Sequence, residues 1–146
     1  MFVFTLQKVL EHRKNIEEKA LREFSEAMAT LNAERMTMTA LTEEEELLIG
    51  QWKELTGQVT KVSDFSLYVD YIKCVQHSLH NQAAVVDAAE KETQQKRESL
   101  LDIVKERKIL ETVKEKRRLA YEAHIAEQER KTLDEVAILK FKREGS

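Results

Sequence analysis

"ALREFSEAMATLNAERMTMTALTEEEELL", residues 20–48, carries Ala20, Phe24, Ala27, Leu31, Met38, Leu41 and Leu48 at steps that alternate between four and three, with Glu34 and Glu45 on the two remaining steps. A mean step of 3.5 residues keeps one stripe of a helix facing a partner helix, whereas a lone helix at 3.6 residues per turn drifts out of such a register. The same spacing continues back through Glu17, Arg13, Leu10 and Leu6, and forward through Trp52, Leu55, Val59 and Val62. Thirteen of these seventeen positions are apolar. The stretch therefore reads as a coiled-coil seam held for about eight heptads.

A second seam follows on Phe65, Tyr68, Ile72, Val75, Leu79, Gln82, Val86, Ala89, Thr93, Lys96, Leu100, Ile103, Arg107 and Leu110. Between the two lie Gly57 and the β-branched run of "GQVTKVSD" (57–64), after an earlier glycine at Gly50, so the first helix is expected to fray or end there. Ser63 is placed to cap the next helix, with Asp64 in its first turn, where the helix dipole favours a carboxylate. The expected fold is all-α, an elongated antiparallel two-helix coiled-coil hairpin forming a single domain over 1–146. Its helices span about 5–57 and about 64–141, and its tip loop about 57–63. At 1.5 Å per residue the arms span roughly 80 Å and roughly 115 Å. This inequality is met by a C-terminal overhang or by a break near "HSLHNQ" (77–82), and the absence of Gly and Pro there favours a continuous helix. Beyond Leu110 the apolar residues Val113, Leu119, Ile125, Leu133, Val136 and Leu139 sit on a less regular stripe, which packs less uniformly or against something else.

Composition excludes several function classes. Charged residues make up 35% and aromatics 6%, too little bulky apolar material for a thick core. Proline is absent and glycine occurs three times, against roughly seven and ten expected at average usage, so little compels the chain to turn. A net charge of −3 gives no bulk electrostatic case for nucleic acid or an anionic membrane. One cysteine excludes an intramolecular disulfide framework, and no apolar run is long enough for a membrane span or secretory leader. A soluble cytoplasmic protein is expected.

Catalysis needs groups that converge in a water-excluding pocket, and a two-helix hairpin has no such interior. The three glycines are isolated, so no loop cradles phosphate, and no enzyme activity and no cofactor are expected. Cys74, His77 and His80 form a C-x-x-H-x-x-H run, but on one helix they spread over about 120° and do not close a tetrahedral site; they read as half-buried polar residues, and no metal is expected. His12 and His124 are isolated surface residues. "EEEE" (43–46) wraps around the helix with Glu45 on the seam and reads as a solvated face, and "MTMT" (36–39) places Met38 in the seam as filling. Residues 96–118 carry a surplus of four positive charges, with Asp102–Lys105, Glu111–Lys114 and Glu115–Arg118 spaced for pairing, the pattern of a solvated coiled-coil flank. Arg13 and Glu17 interrupt the seam just after the apolar start "MFVF" (1–4). They either specify register inside the hairpin or make contacts inside another protein.

Three segments together carry a resemblance over essentially the whole chain: "FVFTLQKVLEHRKNIEEKALREF" (2–24), "YIKCVQHSLHNQAAVVDAAEKE" (71–92) and "KERKILETVKEKRRLAYEAHIAEQERKTLDEVAILKFKR" (105–143). They resemble the flagellar type III export protein FliJ family, most tellingly through Phe4, Leu6, Val9, Leu10 and Arg13 at one end and Glu127, Gln128, Leu133, Asp134, Glu135 and Ala137 at the other. The resemblance implies a non-enzymatic part of the export apparatus, shaped like the central stalk of a rotary ATPase. Its implied partners are the flagellar export ATPase hexamer, the cytoplasmic domain of the export gate and the export chaperones. It would lie at the cytoplasmic face of the inner membrane through these partners alone, without nucleic acid, and serve flagellum biogenesis and motility. Carried over, the ATPase-binding end comprises Leu6, Leu10, Arg13, Glu17, Arg130, Leu133 and Val136, and the gate-binding tip Trp52, Tyr71 and Val75. Trp52 stands where family members often have tyrosine. A generic coiled-coil adaptor and the stalk of a virulence-type secretion system share the heptad pattern and remain as alternatives.

Overall fold

The computed structural model describes residues 1–58 and 61–145. Val59, assigned above to the first seam, Thr60 of the expected tip loop, and Ser146 lie outside the described residues. Two helices account for nearly all of the rest: α1 (Gln7–Thr56) and α2 (Val62–Glu144). They pack against each other as an all-α helical hairpin, and among the described residues there is no strand.

Helix α1 begins without a capping carboxylate or hydroxyl in its first turn. Packing replaces the cap. The Gln7 amide donates to the Phe4 carbonyl at 3.1 Å, and Phe4 is buried with the Arg117 guanidinium over its ring at 5.6 Å. Phe2 lies against the Tyr121 ring at 5.7 Å between centroids, and the Met1 amino group donates to the Tyr121 hydroxyl at 2.8 Å. The apolar start is thus the first layer of the helix pair. At its other end α1 runs through Gly50 and stops at Thr56, where the amides of Gly57 and Gln58 donate to the carbonyls of Glu54 and Leu55 at 3.2 and 3.1 Å. These three-residue bonds tighten a last turn in place of the left-handed cap that glycine often supplies, and Gly57 keeps a negative φ.

Helix α2 starts at Val62, so Ser63 lies within the first turn instead of capping it, and the Asp64 amide donates to the Lys61 carbonyl at 3.0 Å. Val62, counted above as the last seam position, is exposed. The helix crosses 77–82 without a break and ends with Lys142 and Arg143 in its last turn, cations at the negative end of the dipole.

The chain divides into two compact units. One holds Met1–Glu18 and Asp102–Ser146; the other holds Lys19–Leu101. In the first, hydrogen bonds join Thr5 to Arg117 at 3.1 Å and Gln7 to Lys114 at 2.8 Å, and ion pairs join Arg13 to Glu106 and Glu17 to Arg107. In the second, Glu23 pairs with Lys96 at 3.3 Å, Glu34 with Gln82 at 2.5 Å, Arg35 with Glu90 at 3.1 Å and Glu44 with Tyr71 at 2.7 Å. From one end of each unit to the other the partner number falls as the residue number rises, from Thr5–Arg117 to Glu17–Arg107 in the first and from Glu23–Lys96 to Glu44–Tyr71 in the second, which is antiparallel pairing.

Every seam position from Leu6 to Leu55 and from Phe65 to Leu110 is buried or half-buried. The tightest layers contain Leu10, Ala20, Leu31, Leu48, Val75 and Thr93. Thr93 is the polar member, and its hydroxyl is shared between the Ala89 carbonyl one turn back at 2.8 Å and the Ala27 carbonyl of α1 at 3.3 Å, which satisfies the buried group. Beyond Leu110 covered positions continue at Val113, Lys114, Arg118, Tyr121 and Ile125, where two successive four-residue steps replace the regular alternation. From Ala126 to Gly145 every residue is exposed. The longer helix therefore overhangs, and no described residue lies on its last turns.

Candidate functional site

The residues expected at the terminal end divide into two groups. Leu6 is half-buried and Leu10 is 1% exposed, so both belong to the interior of the helix pair. Arg13 and Glu17 face α2, Arg13 on Glu106 and Glu17 on Arg107, which also donates to Glu111 at 2.8 Å. These bonds hold the Arg107 guanidinium firmly protonated, raised above its usual range first by Glu17 and then by Glu111. A charged seam pair of this kind fixes register, because sliding either helix by one turn leaves both charges without partners.

Arg130, Leu133 and Val136 lie on the uncovered part of α2. Arg130 is held along its own helix by Glu127 at 2.8 Å and Asp134 at 3.2 Å, leaving it as part of a solvated charge ladder. Leu133 is 69% exposed and Val136 46%, and Leu139 adds 64%. Open hollows follow this face, one lined by Ile125, Gln128, Glu129, Thr132 and Leu133, the next by Val136, Leu139, Lys140 and Arg143. Ile138 and Phe141 are exposed as well, on the far side of the helix at about 100° per residue. Sequence reasoning placed Leu133, Val136 and Leu139 on the irregular stripe and assigned the first two to the site, but passed over Ile138 and Phe141. Their signal was present: five large apolar residues within 133–141, where a solvated single helix would carry few.

In the other unit, Tyr71 is half-exposed and its hydroxyl donates to Glu44 at 2.7 Å. That bond to a carboxylate, reinforced by its charge, raises the Tyr71 phenol above its usual value of about 10. Tyr71 lines a shallow apolar groove with Leu48, Gln51, Leu67 and Tyr68. Of the other two expected tip residues, Val75 is buried in the seam, and Trp52 is half-buried with its indole N–H enclosed and without an acceptor. Neither lines the groove. Leu67, exposed one turn before Tyr71 and off the seam, was the residue to notice.

The remaining candidates resolve into surface. Cys74, His77 and His80 are exposed, not half-buried, and His77 bonds Asn81 one turn on at 3.3 Å. Among the described residues no three His, Cys, Asp or Glu side chains are grouped to hold a metal ion. In the 96–118 stripe Glu115 pairs with Arg118, which also takes Glu122 at 2.5 Å; the Arg118 guanidinium holds the Glu115 carboxyl below its usual range. The other two expected pairs are absent: Lys114 turns to Gln7, Glu111 is taken by Arg107, and Asp102 makes no ion pair with Lys105.

The hairpin thus exposes two separate apolar surfaces, one on Leu133, Val136 and Leu139 and one around Leu67 and Tyr71. A family model described as flagellar FliJ protein matches residues 2–146. The chain belongs to the FliJ family. Membership makes it a component of the flagellar export apparatus, in a family of non-enzymatic export proteins. Comparisons with curated proteins and with solved structures return no match. Among the described residues no helix is long and apolar enough to cross a membrane.

Proposed function

We propose that this FliJ-family chain docks by the overhanging end of α2 into the ring of the flagellar export ATPase, and by the groove around Tyr71 onto the cytoplasmic domain of the export gate. Export chaperones are the third partner, and the chain sits at the cytoplasmic face of the inner membrane through these contacts. The observation that carries the reading is the run of exposed apolar residues, Leu133, Val136 and Leu139, on a stretch of helix that the described residues leave uncovered. Apolar side chains so placed gain from burial, at about 25 cal/mol per Å², only when another molecule supplies the cover.

On this reading the residues of the terminal end have different tasks. Arg130, Leu133 and Val136 touch the ring; Leu6, Leu10, Arg13 and Glu17 hold α1 against α2 so that the end is presented in one register. At the other surface Tyr71 makes the contact, with Trp52 flanking it, while Val75 anchors the helix beneath. A ring of identical subunits changes state in order only if something distinguishes them, and a ligand that binds its states unequally shifts their populations.

The test is ATP turnover by the purified ring as the chain is titrated in. Turnover changes with the parent chain and fails to change with Leu133→Glu/Val136→Glu, while Tyr71→Ala retains the effect and loses the gate domain in a binding assay. Turnover indifferent to saturating parent chain removes the ring from the proposal.

A further inference from the structure

The uncovered segment of α2 resumes a regular four-three spacing on Ala126, Glu129, Leu133, Val136, Lys140 and Arg143. The inner four members of that series are self-complementary: the acid Glu129 and the base Lys140 stand symmetrically about the apolar pair Leu133 and Val136, while Ala126 and Arg143 flank them. A two-fold axis between Asp134 and Glu135 sets Leu133 of one copy against Val136 of the other, twice, and Glu129 against Lys140, twice. Among the described residues neither Glu129 nor Lys140 has an ion-pair partner, and both line the open hollows of this face. A parallel alignment would instead oppose Glu129 to Glu129 and Lys140 to Lys140.

From this self-complementarity we propose that the overhanging ends of two copies pair with each other as a short antiparallel coiled coil over residues 126–143. Such an arrangement is isologous, so each contact is made twice. The overlap is about 30 Å of helix, and its area falls below the roughly 1,200 Å² of a standard interface, which sets a weak, concentration-dependent dimer. Because the pairing covers Leu133 and Val136, the paired form withholds these residues from any other partner. The isolated chain then carries its own competitor for that face, displaced when a larger apolar surface is offered. The pairing itself stands whether or not that surface is the ATPase ring.

Sedimentation equilibrium of the purified full chain, from low micromolar to near-millimolar concentration, tests it. The parent associates to a dimer. Glu129→Lys and Lys140→Glu each weaken the dimer about tenfold, the double exchange restores it to within about threefold of the parent, and Leu133→Glu abolishes it. Circular dichroism of each variant checks that the helices persist. A chain monomeric throughout overturns the proposal, even if it binds the ATPase ring. A double exchange as weak as the single variants overturns the antiparallel register, and association that survives Leu133→Glu places the contact on another face and overturns it too.

Discussion

Leu10→Ala and Leu133→Ala make the same chemical change at opposite extremes of cover. Leu10 is 1% exposed between the helices, and truncation removes the equivalent of three methylenes from a water-free contact, about 2.4 kcal/mol at about 0.8 kcal/mol each. A cavity term is added in thick cores, where the walls cannot move in. Here the interior is one side chain deep and flanked by flexible charged residues, so the site collapses and the total stays near 2–3 kcal/mol, toward the low end for Leu→Ala. Leu133, 69% exposed, loses almost no cover and gains slightly in helix propensity, so its change stays within about 0.5 kcal/mol. Urea unfolding followed by circular dichroism at low micromolar protein reads both. With a slope of about 2 kcal/mol/M, the midpoint falls by about 1–1.5 M for Leu10→Ala and moves by no more than about 0.25 M for Leu133→Ala. Equal shifts would refute the assignment of the interior to one stripe and the overhang to solvent.

Gly50 lies inside α1, and a Cβ built on it meets nothing within 4 Å; Gly50→Ala should therefore raise stability by about 0.5–1 kcal/mol, read as a higher urea midpoint. Trp52→Phe removes an enclosed indole N–H that has no acceptor, and relief of that orphan offsets the smaller ring, so the midpoint stays within about 1 kcal/mol of the parent, where an accepted N–H would make the change costlier. The bond to Glu44 favours the neutral Tyr71 phenol, whose folded pKa is raised. Its contribution to stability is complete below the unfolded value of about 10 and is lost as pH climbs through the higher folded value. Ultraviolet titration of the three tyrosines should show a late-ionising phenol that disappears in Tyr71→Phe and moves earlier in Glu44→Ala.

The seams were legible because a two-helix pair imposes one rule along most of its length: a residue every three or four steps must meet the other helix. Even seam members that look wrong by hydropathy obeyed it. Glu17, Glu34, Lys96 and Arg107 all face the partner helix, since long side chains can bury their stems and meet a charge or amide across the pair. Two things were less legible. Which polar seam members serve register depends on cross-helix pairing, which periodicity does not encode; Arg13 with Glu106 needed the alignment of both helices. Where the pairing stops depends on which residue of α1 stands opposite each residue of α2. Tyr121 meets Met1 and Phe2 and so closes the pair, whereas by spacing alone Ile125 and Leu133 look alike.

That stopping point bears on what the chain is for. An ordinary way to end a pair of helices is to let the longer one turn polar once its partner is gone, because an exposed apolar stripe contributes nothing to folding and invites association. Here the segment from Ala126 onward keeps Leu133, Val136, Ile138, Leu139 and Phe141, yet supports itself as a helix with the Glu127–Arg130–Asp134 ladder. The ladder and the apolar stripe occupy the same turns and serve different ends. One keeps the segment helical without a partner, and the other makes it adhesive toward one. Replacing Glu127 by Gln and Asp134 by Asn, which removes both ion pairs at nearly unchanged helix propensity, should therefore lower helicity in this segment of the free chain while leaving the seam from Leu6 to Leu110 intact. Amide hydrogen exchange resolves this as faster exchange confined to residues beyond Ile125. Faster exchange spreading to the amides around Leu10 and Leu31 would show instead that the overhang is part of what holds the two helices together, and its apolar residues would then need no partner to explain them.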